Sequence, residues 1–355
     1  MSDDDRLRLA FLGLHPDRAA RLGRDLGSPG AVLAAFERGR LQAPEAARAA
    51  LSLGAAACRE RLARLGVAAV FRGGPGYPGH LACLPGAPDV LFTKGLLPAA
   101  PGVAIVGTRR CTRYGMGLAR VYGQACAAAG WPVVSGLARG ADAEAHRGVA
   151  DAGGIGVAVL GCGPDVVYQA ENRALLGALL GSAGALATEY PPGTRPEPWR
   201  FPPRNRIISG LAAAVVVVEA AETGGALITA AAALEQGRHV FAVPGDVGRE
   251  TSRGCNLLIR DGATPVLDPA DLVASLSLLP GLPRRREAPA AEAAGAIPND
   301  TAGRLLLAAL PPGGATPEAA AASAGLPAAE AMAALGRLEV SGLVRREGGL
   351  VLPGR

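Results

Sequence analysis

The stretch Phe201–Thr229, FPPRNRIISGLAAAVVVVEAAETGGALIT, decides how this 355-residue chain folds. Its centre, Ala213–Val218, is an apolar run without in–out alternation, so as a strand it must be covered on both faces. Arg204, Asn205 and Arg206 come shortly before it, and Gly224-Gly225 opens an alanine-rich helix after it. Fixed cations and bare helix-start amides at one end of a buried strand are how a parallel α/β sheet receives phosphate or phosphodiester groups. No nucleophile, metal cluster or acid pair stands nearby, so the segment reads first as a binding site.

Outward from it, Val103–Val106, Pro132–Val134, Val157–Leu160, Ala185–Thr188 and Val240–Val243 have the same continuous apolar character. Helices are predicted between them at Tyr114–Ala129, Ala141–Ala152, Glu171–Leu180 and Ala226–Gln236. Short buried strands alternating with crossover-length helices predict an α/β fold whose core is a doubly wound, Rossmann-like parallel sheet. That core takes residues 71–280, including a Pro- and Gly-rich lead-in with Val90-Leu91-Phe92 as a candidate edge strand. Residues 1–70 show apolar clusters at helical spacing and read as a small SAM- or helix-hairpin-helix-like domain. Its Gly27-Ser28-Pro29-Gly30 step either touches a DNA backbone or only joins packed helices. Residues 281–299 form a linker rich in Pro, Ala and charge. Residues 300–355 read as three helices and a β-hairpin, a winged-helix-like domain. The third of these helices, Pro327–Val340, offers Arg337 amid alanine and glutamate, which argues against base reading and leaves a protein-contact role open.

Composition narrows the function further. A net charge of +5 is a mild basic excess that permits an anionic partner. Lys94, in FTKGLL, is the only lysine and has no glycine loop beside it, which rules out an ordinary Walker-type ATPase. The six cysteines form no C-x-x-C pair, so they read as reduced thiols of a cytoplasmic protein with no metal. The acidic start, MSDDDRLRLA, has no signal core, and no apolar run reaches the roughly 18 residues of a spanning helix.

Four strand ends carry the candidate site. In VAIVGTRRCTRYGMG, Gly107, Thr108, Arg109 and Arg110 form a turn whose amides and guanidiniums can hold an anion. Arginine at 109 occupies the second glycine position of a dinucleotide fingerprint, so NAD binding is disfavoured and no cofactor is expected. In VVSGLARGADAEAH, Ser135 and Gly136 end a strand, Arg139 is a phosphate-contact candidate and Gly140 precedes a helix. Asp142 and His146, four residues apart, form either an acid–base pair or, more commonly, a helix-start carboxylate and a hydrogen-bonded histidine. In VAVLGCGPDVVYQAENR, Gly161 and Gly163 make a third bare turn, with Arg173 following. Phe201, beside Arg200, is either a stacking platform for an unpaired base or a core plug. Four such turns on one sheet suit a polyanion better than a small ligand.

Together these blocks resemble the DNA processing protein A family, also called Smf, of bacterial natural transformation. The matching pieces run in order from about residue 77 to 264 and include GYPGHLACLPGAPDVLFTKG, VAIVGTRRCTRYG, VVSGLARGADAEAH, VAVLGCGPDVVYQAEN, TEYPPGTRPEPWRFPPRNRIISGL and GCNLLIRDGA. The resemblance implies a Rossmann-like core that forms a homodimer, binds single-stranded DNA without sequence preference, protects it and hands it to the recombinase RecA. By position, Arg109 matches a family DNA-contacting arginine, and Phe201, Arg204, Asn205 and Arg206 match the FPxRNR block. Arg173 stands where members carry a basic residue, although Gln169 replaces the usual proline just before it. Members also use groove lysines, which here leaves Arg195, Arg200 or Arg173 as substitutes. The expectation is a non-enzymatic mediator with phosphate contacts from Arg109, Arg110, Arg139, Arg204 and Arg206 and base stacking on Phe201. The alternative is a nucleotide phosphoribohydrolase, whose PGGxGTxxE motif supplies a carboxylate that TGGALITAAAA lacks. A third reading is a sequence-specific transcription factor, against which the alanine-rich third helix of the C-terminal domain argues.

Overall fold

The computed structural model describes residues 2–167, 169–282, 301–311, 314–340, 343–347 and 349–353. The chain divides into two compact units, Met1–Arg285 and Arg286–Arg355. The first is built on nine strands: β1 (Ala68–Phe71), β2 (Val90–Lys94), β3 (Gly102–Val106), β4 (Val133–Ser135), β5 (Gly156–Val159), β6 (Ala185–Thr188), β7 (Ala212–Val217), β8 (His239–Ala242) and β9 (Thr264–Pro265). Their order across the sheet is β1-β2-β6-β5-β4-β3-β7-β8-β9. From β6 to β9 every pairing is parallel, while β1 and β2 are antiparallel additions at the β6 edge.

The chain starts the parallel sheet at β3, runs outward through β4, β5 and β6, then returns to lay β7 on the opposite side of β3. The crevice between β3 and β7 is therefore the point where the winding reverses, the place where such sheets hold ligands. The doubly wound, Rossmann-like fold read from the sequence is the fold observed. Each of the six expected parallel strands lies within one residue of its observed position.

The apolar runs lack alternation because both faces are covered. Val103 and Ile105 of β3 pack with Tyr122, Trp131 and Leu179 on one side. Ala104 and Val106 pack with Ile207, Ile208 and Ala230 on the other. The first layer holds helices Arg113–Ala128, Ala141–Asp151, Arg173–Gly181 and Pro269–Ser277; the second holds Phe201–Gly210, Gly225–Glu235 and Glu250–Arg260. With few aromatics, close approach replaces bulk. A side chain at Gly123 would strike the Ala145 carbonyl, and one at Gly148 would strike that of Arg120, so helices Arg113–Ala128 and Ala141–Asp151 meet backbone to backbone.

Two details differ from expectation. Val90–Phe92 is not an edge: β2 lies between β6 and β1. Ala68–Phe71, at the end of the region read as helical, pairs with β2 and takes the edge instead. Its short apolar run has no period of its own to separate it from the helix before it. Helices Asp3–Phe11, Pro16–Leu26, Pro29–Glu37, Glu45–Leu51 and Ala55–Arg64 precede β1 and belong to the same unit. Arg6 ties them to the sheet lead-in through the Asp89 carboxylate at 2.7 Å, and Phe11 meets Phe92 edge to face at 5.6 Å. The Gly27–Gly30 step stops one helix at Gly27 and starts the next, with the Ser28 hydroxyl accepting from the Ala31 amide at 3.2 Å.

In the second unit, helices Thr301–Ala309, Pro317–Ser323 and Ala328–Val340 close over Leu306, Leu335, Leu338 and Val351. Strands β10 (Val344–Glu347) and β11 (Leu350–Pro353) pair antiparallel after them. The linker read at 281–299 lies, from 283 onward, outside the described residues, as does the side chain of Arg337. No helix among the described residues is long and apolar enough to cross a membrane.

Candidate nucleic-acid interface

At the end of β3 the chain turns through Gly107, Thr108, Arg109 and Arg110 into helix Arg113–Ala128. One residue of the neighbouring strand end holds this turn at both sides. The Glu219 carbonyl accepts from the Thr108 amide at 2.7 Å. Its carboxylate accepts from the Thr112 amide at 2.8 Å, the Thr112 hydroxyl at 2.7 Å and the Cys111 thiol at 3.1 Å. Glu219 is buried, while Arg109 and Arg110 are exposed, so the turn is anchored underneath and charged on top.

The turn after β4 touches the first. Gly140 opens helix Ala141–Asp151 at φ +79°, and a Cβ there would collide with the Thr108 carbonyl. The Ser135 hydroxyl donates to the Ile105 carbonyl at 2.6 Å, joining the two strand ends. Asp142 is buried and accepts from the Gly136 amide at 3.1 Å. Burial raises its carboxyl above the ordinary aspartate range, with the Arg204 charge opposing. At the third turn, after β7, Gly224 and Gly225 are exposed at the start of helix Gly225–Glu235, and the Asn205 amide donates to the Gly225 carbonyl at 3.0 Å.

The segment leading into β7 covers these turns from one side. It forms helix Phe201–Gly210, with Pro202 and Pro203 in the first turn, where missing amide donors cost nothing. The half-buried Phe201 ring rests on Gly161, where a Cβ would come within 2.9 Å of it. The Arg109 guanidinium lies 4.9 Å from the ring centroid. Around these groups opens a cavity of about 570 Å³, lined by Thr108, Arg109, Asp142, Phe201, Arg204, Asn205, Gly224 and Gly225 among others. It sits in the β3–β7 crevice, where three helix starts converge.

Several expected phosphate contacts are held in other interactions or lie off the cavity wall. Arg204 is 4% exposed at the cavity base, where its guanidinium donates to the Gly136 carbonyl at 2.9 Å and to that of Val159. Burial pulls it below the usual arginine value. It is thus corrected from a surface phosphate contact to a tie between strand ends. Arg206 does not line the cavity; it pairs at 2.6 Å with the partly buried Glu189. Arg200 is buried, with its guanidinium over the rings of Tyr190 at 4.9 Å and Trp199 at 4.1 Å. Arg139 is exposed and ion-paired with Glu171, and Arg173 is exposed on the next helix, away from the cavity lining. His146 does not join Asp142 as an acid–base pair. It is fully buried, and burial pushes it down to about 4, with only the Ser135 backbone opposing. Among the described residues no group of three His, Cys, Asp or Glu side chains is placed to hold a metal ion.

Glu219 escaped the sequence reading. Its signal is its place: an acid directly following four buried valines marks the strand end that faces the neighbouring turn.

Residues 68–277, which include every candidate site residue, match the family model described as DNA recombination-mediator protein A. The chain belongs to this family. Protein Smf of Synechocystis is 42% identical over 219 residues, 60% of this chain and 55% of that protein. DNA processing protein DprA of Streptococcus pneumoniae is 40% identical over 200 residues, 56% of this chain and 70% of that one. A solved structure of the pneumococcal protein aligns with a TM-score of 0.62 at 29% identity, covering 77% of this chain and 98% of that one. The Helicobacter pylori family member, solved to show its single-stranded DNA binding mode, shares the fold at a TM-score of 0.54 and 24% identity, over 59% of this chain and 95% of that one. The present chain spans only about half the length of the Smf proteins of Synechocystis (55%) and Escherichia coli (54%).

Proposed function

We propose that this recombination-mediator family member binds single-stranded DNA without sequence preference in the β3–β7 crevice. As a homodimer formed through the Rossmann-like core, it protects the strand and passes it to a RecA recombinase. The observation that carries the DNA reading is the pairing of Arg109 with Phe201 on the cavity wall. A half-exposed ring takes the face of an unpaired base, and the guanidinium over it reaches the adjoining phosphate. The turn amides and the exposed Arg110 extend the anionic path along the strand ends. A duplex hides its base faces, so the ring discriminates against it. The process needs no covalent step, and none of these groups is set up as a nucleophile.

The test is fluorescence anisotropy of labelled poly-dT against its duplex form over a salt series. Tight binding of the single strand, weakening linearly in log–log form with salt, is expected. Equal affinity for both forms, or no binding at low salt, overturns the reading. RecA filament formation on coated single strands, with and without the protein, tests the handover.

A further inference from the structure

The N-terminal helices meet the crevice through a chain of stacked side chains. The His15 ring lies on the Trp199 ring at 5.2 Å and 27°. Trp199 also meets Tyr190 edge to face at 6.2 Å, and the Arg200 guanidinium is held against both rings. The Tyr190 hydroxyl donates to the Arg200 carbonyl at 3.4 Å. Phe201 follows directly, with Arg109 over its ring. A second tether runs beside the first: Arg61 donates to the Pro192 carbonyl at 3.1 Å. Pro196 and Pro198, between the two anchor points, line the cavity.

The segment spanning 190–200 has little secondary structure of its own; the single helical turn Pro198–Arg200 immediately precedes Phe201. Its buried anchors, Tyr190 and Arg200, leave Trp199 as the partly exposed member, and His15 covers that indole. We infer that His15 is a positioning residue: through Trp199 it holds the Phe201 ring in place beside Arg109, so that the N-terminal helices set the geometry of a stacking site they do not form. The inference rests on the proposed DNA reading for its consequence, but the positioning itself is measurable without DNA.

His15 has a second, separable role. As N-cap of helix Pro16–Leu26, its ring accepts from the Asp17 amide at 3.2 Å. Two variants divide the roles. H15S keeps a good N-cap and loses the ring; H15F keeps the ring and loses the cap. Amide hydrogen exchange over residues 190–204 is compared in the parent and both variants, and poly-dT affinity is measured on the same samples. H15S is expected to speed exchange in 190–204, leave β3–β7 protected and weaken poly-dT binding about 3- to 10-fold, the worth of one aromatic stack. H15F is expected to match the parent in both measurements. Exchange in H15S equal to the parent, or an H15F variant as loose as H15S, overturns the positioning. Faster exchange with unchanged affinity overturns its bearing on DNA. A parent that binds no oligonucleotide defeats the proposed function, and the exchange comparison then still decides whether His15 holds the segment.

Discussion

Replacing Glu219 by alanine removes the anchor beneath the Arg109 turn without touching any residue of the cavity wall. The carboxylate makes two hydrogen bonds with Thr112, at 2.8 and 2.7 Å, in a site that is 5% exposed. Hydrogen bonds to a charged group contribute about 1.5–3 kcal/mol each. A carboxylate at a helix start adds roughly 0.3–1 kcal/mol. The substitution also leaves the Thr112 amide unpaired. Because these effects share one residue they are not additive, and we expect E219A to lower unfolding free energy by about 3 kcal/mol in urea titrations. E219Q keeps one acceptor and is expected to lose about half of that. Thr108 to Cys111 should then sample more conformations, and poly-dT affinity should fall about 10-fold in E219A, equivalent to about 1.4 kcal/mol. An E219A protein with parental urea midpoint and parental affinity refutes the anchoring. A large loss of stability with unchanged affinity refutes the link between the turn and DNA.

Stability should also depend on His146. Its folded value of about 4 lies below the ordinary 6.5, so between these pH values the unfolded chain binds the extra proton. Stability is therefore complete above about 6.5 and declines as pH falls towards 4, by about 3 kcal/mol in all; urea midpoints at pH 7 and 4.5 should show this, and H146L should flatten the difference. F201A should weaken poly-dT binding by about 1–3 kcal/mol with little change in melting, measured by anisotropy and calorimetry. R109A should weaken binding of all sequences alike and reduce the salt slope by about 1, read from the same titrations. G140A should cost at least about 1–2 kcal/mol in urea titrations, since alanine is strained at φ +79° and its Cβ meets the Thr108 carbonyl.

Buried parallel strands were legible because composition alone forces them inside: four valines in a row at 215–218 have no outward-facing position. The crevice was legible for a related reason, since Gly107 and Gly136 each close such a run at a strand end, and Gly224 opens the helix that follows β7. The fate of the arginines was not. Arginine ordinarily belongs at the surface, yet Arg200, Arg204 and Arg206 find aromatic rings, strand-end carbonyls and a partly buried glutamate that come from Tyr190, Trp199, Gly136, Val159 and Glu189. Apart from Trp199, the neighbour of Arg200 in the chain, those partners converge only once the sheet is wound. Helix Phe201–Gly210 is not among the helices expected from the sequence; Pro202 and Pro203 fit it as first-turn residues. At β1 the boundary failed because Ala68–Phe71 gains its strand character from β2, twenty-odd residues further on.

The seam between helices Arg113–Ala128 and Ala141–Asp151 reaches beyond packing. Where Gly123 and Gly148 bring the two backbones together, no flexible spacer remains to absorb relative movement. The helix starts behind Arg109 and Gly140 therefore behave as the tines of one fork, not as independent loops. A strand bound as proposed would meet a gauge of preset width, with the exposed charges of Arg109 and Arg110 carried at one tip.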